Sequence, residues 1–125
     1  MMFLWSLLLI AHLLTGIASG SDVNTKLLRE YGELADKLVT IYNEQSEYAF
    51  LYDVYSIDTV HVVTGGKVEA MELRLITTDC RKGEIFSPKA RGCKHTNDVL
   101  LKCNAEWNKR VNMLLIQGCE HVKQA

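Results

Sequence analysis

Four cysteines, Cys80, Cys93, Cys103 and Cys119, all lie in the second half of a 125-residue chain that opens on an apolar leader. That combination constrains the fold more than any other feature, because it decides whether the thiols are reduced or bridged. Residues 1–20 contain no Asp, Glu, Lys or Arg, and they close on the small residues Gly16, Ala18, Ser19 and Gly20. A short apolar run followed by small residues is the pattern of a secretory signal peptide. The only positive charge of its n-region is the amine of Met1. Thr15, Gly16 and Ser19 interrupt the run near spanning length, and no basic stop-transfer cluster follows, which favours cleavage over a membrane anchor. The expected organisation is a signal peptide over 1–20, cut after Gly20 or after Ala18, and one secreted, extracellular domain over 21–125.

In an oxidising compartment an even number of cysteines reads as disulfides. Four cysteines admit three pairings. Sequential pairing, Cys80 with Cys93 and Cys103 with Cys119, is preferred because it closes two short loops and lets the second bridge staple one hairpin. Each bridge is worth about 3 kcal/mol on the chain-entropy account. The spacings contain no Cys-x-x-Cys pair, and His61, His95 and His121 stand at no ligand spacing from one another. No metal and no cofactor is therefore expected. Fourteen Lys and Arg against fifteen Asp and Glu give a net charge of −1. Such a balance supplies no overall basic field, so neither nucleic acid nor a membrane is expected as partner. Gly65-Gly66-Lys67 is too short for a phosphate loop, no catalytic constellation of Ser, His and Asp is visible, and bridged cysteines are not nucleophiles. The chain is not expected to be an enzyme.

Between Asp22 and Gln45, Leu27, Leu28, Tyr31, Leu34, Ala35, Leu38, Val39, Ile41 and Tyr42 form a helical stripe opposite Lys26, Arg29, Glu30, Glu33, Asp36, Lys37 and Glu44. Asp22 or Asn24 can cap this helix, and Gly32 inside it costs about 1 kcal/mol against alanine, suggesting close packing there. After Ser46 the period changes. Tyr48 to Val63 is dense in aromatic and β-branched residues, as a long bulged strand should be. Thr64-Gly65-Gly66-Lys67 predicts a tight turn. Val68 to Thr78 alternates, with Met71, Leu73 and Leu75 on one face and Glu72 and Arg74 on the other. Asp79 to Lys94 reads as a charged loop holding Pro88, and Val99–Trp107 and Val111–Cys119 as two more strands joined near Asn108-Lys109-Arg110. The predicted class is α+β: one N-terminal helix wrapped by a four-stranded antiparallel sheet, with two disulfides.

The residues of this frame resemble the secreted cystatins. In that family a long helix precedes a hairpin whose tip reads Gln-Val-Val-Ala-Gly. Here His61-Val62-Val63-Thr64-Gly65 occupies the matching place, after a helix that ends in the similar Tyr42-Asn43. The strand from Val68 to Cys80 ends in Thr77-Thr78-Asp79-Cys80, close to the family's Thr-Thr-Cys, and four C-terminal cysteines paired in sequence complete the likeness. The resemblance spans nearly all of the chain beyond the leader. It implies a cystatin-like fold and a reversible inhibitor that occludes the cleft of papain-like cysteine proteases of the cathepsin type. Its contact residues would be His61, Val62, Val63, Thr64 and Gly65 at the first tip, Trp107 near the second, and Gly20 in an N-terminal arm. A monomer is expected.

Three departures bear on that implication. His61 and Thr64 stand where the family has Gln and Ala, Glu106 precedes Trp107 in place of Pro, and cleavage near Gly20 trims the arm. Glu47 stands where some members carry the asparagine that blocks legumain, so that activity is not implied. The rival reading is a non-inhibitory binding or carrier protein on the same scaffold, as in fetuins, secreted phosphoproteins and cathelicidin pro-regions. An apolar first tip favours inhibition, since exposed valines at a turn are otherwise an unexplained hydrophobic cost.

Overall fold

The computed structural model describes residues 25–122. Gly20, Asp22, Asn24 and the expected cleavage site lie outside the described residues. A helix α1 (residues 25–45) is followed by strands β1 (Phe50–Val63) and β2 (Lys67–Arg81), a short helix α2 (Pro88–Arg91), and strands β3 (His95–Asn108) and β4 (Met113–His121). The strands form one antiparallel sheet in the order β1-β2-β3-β4. The predicted architecture is the observed one.

One face of the sheet takes the apolar stripe of α1. Ala35, Leu38 and Val39 pack with Tyr52, Ile57, Met71, Leu73, Leu75, Leu101, Cys103, Ala105 and Leu114 in a single buried cluster. Along β2 the alternation is regular as far as Leu75, which places Met71, Leu73 and Leu75 inward as their spacing predicts, and from Leu75 to Thr78 four successive residues are buried. Along β1 it is not. The inward residues are Tyr52, Val54, Ile57 and Val60, and the two three-residue steps coincide with register shifts between Val54 and Ser56 and between Ile57 and Thr59. Each extra residue moves the following side chains to the other face, so these bulges keep apolar residues inside.

Asn43 joins three elements. It is fully buried in the last turn of α1; its Nδ2 donates to the carbonyls of Tyr52 at 3.0 Å and Phe86 at 3.1 Å, and its Oδ1 accepts from Tyr52 N at 2.9 Å. Both expected disulfides are present, Cys80–Cys93 and Cys103–Cys119, and the second joins residues directly opposite each other in β3 and β4.

Four local expectations are corrected. Gly32 marks no close approach, since a Cβ there would meet nothing within 4 Å. The loop over 79–94 contains α2, with Ser87 as N-cap accepting from Ala90 N, Pro88 in the first turn and Gly92 at φ +65 as C-cap. β3 begins at His95, not Val99, because a wide irregularity with Asn97 at φ +63 is patched by Thr77, whose Oγ1 accepts from Val99 N and meets Thr96 Oγ1 at 2.9 Å. β4 begins at Met113, because the connection from Asn108 runs through Asn112 at φ +57.

Candidate functional site at the hairpin tips

An antiparallel meander puts the β1–β2 and β3–β4 turns at the same end of the sheet. At the first tip, Gly66 N donates to Val63 O at 3.1 Å, closing a turn whose third and fourth residues, Gly65 and Gly66, have φ of +91 and +79. Side chains rarely adopt such values, so the two glycines are required by conformation and not by space, which is open around both. At the second tip, Asn108 Oδ1 accepts from Arg110 N at 2.9 Å and from Val111 N at 3.3 Å, holding the loop from Lys109 to Asn112.

The residues expected at the first tip do not all face water. Val62 is 41% exposed, whereas Val63 is half-buried. Neighbouring residues of a strand point to opposite faces, so the two valines cannot present one continuous surface. His61, Thr64 and Gly65 are exposed. His61 also faces Glu69 across the hairpin, Nε2 to Oε2 at 3.9 Å. Trp107 lies in β3 just before the second tip, half-buried against the core, with Lys67 Nζ 4.0 Å from its ring centroid. That cation–π contact ties the first hairpin to the second and covers one face of the indole.

Two further apolar residues are exposed at this end of the sheet. Val111 is 52% exposed at the second tip and Met113 is 40% exposed beside it. Of the five large apolar side chains exposed among the described residues, Val62, Val111 and Met113 gather at this one end. The sequence signal for this second turn was Asn112, a residue that tolerates a left-handed backbone. Behind the tips, Leu34, Leu38, Ile41, Val68, Trp107 and Leu114 line an apolar groove of about 370 Å³ between α1 and the hairpins. On the other face, His61, Lys67, Glu69, Glu106 and Lys109 border a charged hollow of about 510 Å³.

Among the described residues no thiol is free, and the only metal-sized cluster, Asp79 with Cys80 and Cys93, has its sulfurs tied up in a disulfide. Among the same residues no helix is long and apolar enough to cross a membrane.

The arrangement of one long helix on a four-stranded antiparallel meander has solved counterparts. A crystal structure of Al-CPI matches with a TM-score of 0.57 at 20% identity, covering 74% of this chain and 90% of that one. The fold is cystatin-like. A crystal structure of dimeric human cystatin F matches with a TM-score of 0.51 at 18% identity, over 73% of this chain and 78% of that one. No protein-family model matches the sequence, and no curated protein matches it. At these identities the cystatin-like fold is the extent of what the likeness carries.

Proposed function

We propose that this chain is a secreted, reversible inhibitor of papain-like cysteine proteases, occluding the active-site cleft with its two hairpin tips and forming no covalent bond. One observation carries the proposal: three water-exposed apolar side chains, Val62 at the end of β1, Val111 in the second turn and Met113 at the start of β4, lie at the same end of the sheet. Exposed apolar surface gathered in one place is the mark of a binding edge. Tips already fixed by Gly65, Gly66 and the Asn108 side chain lose little conformational freedom on entering a cleft, which favours affinity over what area alone would give. A single chain presents the whole edge. The same proposal includes a signal peptide: cleavage after Ala18 leaves Gly20 as an arm residue, and cleavage after Gly20 removes it.

The test is a titration of the purified chain, residues 21–125, against papain and a cathepsin. The expected result is loss of hydrolysis as inhibitor is added, with Val62→Glu and Val111→Glu each weakening inhibition at least about tenfold, as truncation of a central interface residue does. Micromolar chain that leaves hydrolysis unchanged overturns the proposal. Val62→Glu is a cleaner probe than a change at Gly65, where φ of +91 makes any side chain strain the turn itself. The second reading, a carrier without inhibitory activity, draws support from Lys67 lying over Trp107, which leaves that indole less free to anchor a partner.

A further inference from the structure

At the end of the sheet away from the tips, the segment from Asp79 to Lys94 holds Arg81, Lys82, Lys89, Arg91 and Lys94. Five of the fourteen basic residues thus fall in sixteen positions that contain only two acids, Asp79 and Glu84, while the chain as a whole carries −1. The fold also brings two acids to this end: Asp36 and Asp53 line a hollow with Lys89, but Asp36 accepts from Ser87 Oγ at 3.5 Å and Asp53 meets His95 Nε2 at 2.9 Å. The Cys80–Cys93 disulfide holds the two arms of the segment 5.7 Å apart at their Cα atoms, and Asp79 N donates to Lys94 O at 3.0 Å. Arg91 Nη1 donates to the backbone carbonyl of Arg81, which ties the last turn of α2 to the end of β2. One of the segment's own two acids is turned to the backbone: Asp79 Oδ1 accepts from Lys94 N at 2.9 Å. Among the described residues none of the five cations is paired with a carboxylate. Unpaired like charges held together by a covalent clasp raise the free energy of the unliganded chain, and a polyanion relieves that repulsion while releasing its own counterions.

We infer that this disulfide-clasped basic end is a binding site for a sulfated polysaccharide. Three observations favour that class of polyanion. Disulfides belong to oxidising surroundings, where the abundant polyanions are sulfated glycans and not nucleic acids. A single-stranded nucleic acid needs open aromatic faces for stacking, yet Arg81 lies over the Phe50 ring at 5.2 Å. A membrane needs an apolar insertion face, and Ile85 is the one large apolar side chain exposed in the segment. The site is at the opposite end of the strands from the tips, so a chain held by glycan keeps its tips open. This inference does not depend on the protease proposal.

The experiment is binding of the purified chain, residues 21–125, to heparin at several salt concentrations. Retention despite a net charge of −1, with affinity falling linearly against salt on logarithmic axes, is expected. The triple variant Lys82→Gln, Lys89→Gln, Lys94→Gln spares both arginines and should lose about tenfold in affinity with an unchanged melting temperature. Lys109→Gln with Arg110→Gln, two charges removed at the tips, should stay within about twofold. No retention at low salt overturns the inference, as does equal weakening by both sets of substitutions. Equal binding to a DNA fragment, or to phosphatidylserine vesicles, overturns the assignment to sulfated glycan.

Discussion

Asn43 shows how one side chain can stand in for a stretch of regular structure. It satisfies a backbone N–H and two carbonyls that the end of α1, the start of β1 and the connection before α2 would otherwise bury without partners. Leaving buried polar groups unpaired costs about 1–3 kcal/mol apiece, so Asn43→Ala is expected to lose about 3 kcal/mol in a denaturant titration. Asn43→Asp should lose more at neutral pH, because a carboxylate would then face the carbonyls of Tyr52 and Phe86. From the sequence, Asn43 was legible only as part of the Tyr42-Asn43 pair that ends the helix. Its three partners come from positions nine and forty-three residues away, and no local pattern encodes them. Val62 was legible as a tip residue, but the split between it and Val63 needed the strand's facing to be known.

Among the elements, α1 was the most legible, since its stripe of apolar residues repeats at helical spacing for its whole described length. Gly32 is the one position where local sequence and packing disagree. Open space around a Cβ there means that Gly32→Ala should stabilise the chain by about 0.5–1 kcal/mol, read as a higher denaturation midpoint with an unchanged slope. A fall in stability would mean that the glycine serves a contact the fold does not display. Strand β2 was equally plain. The limits of β3 and β4 were not, for a common reason: Asn97 and Asn112 adopt left-handed backbone, one inside a strand and one in a turn. Residue type alone does not say which. α2 had its full signature in Ser87, Pro88 and Gly92, and it escaped notice because one turn of helix carries no periodicity.

At the scale of the molecule, α1 and the sheet bury one core between them, and one aromatic cluster makes stability fall at alkaline pH. Tyr52 is packed with Tyr42 and Tyr48, ring centroids 5.8 and 5.4 Å away, and its phenol is pushed up to about 12 by burial, with smaller additions from Tyr42 and Tyr48. Burial raises Tyr42 as well. An unfolded phenol releases its proton near pH 10 while the folded Tyr52 still holds it, so stability is intact below about 10. It should decline as pH rises from there through about 12. Denaturant midpoints measured across that range should fall, and Tyr52→Phe should flatten the decline. Net charge, read over the whole sequence, was a correct sum that concealed its distribution: the cations gather beside Cys80 and Cys93.

The register shifts in β1 reach beyond the core they serve. β1 borders the sheet, and a border strand offers its unpaired amides and carbonyls to any straight segment that comes alongside. Repeated kinks throw that row of donors and acceptors out of step, so the rim cannot template a neighbouring molecule over any length. Irregularity that first secures the interior also works against one copy zipping onto the next along this border.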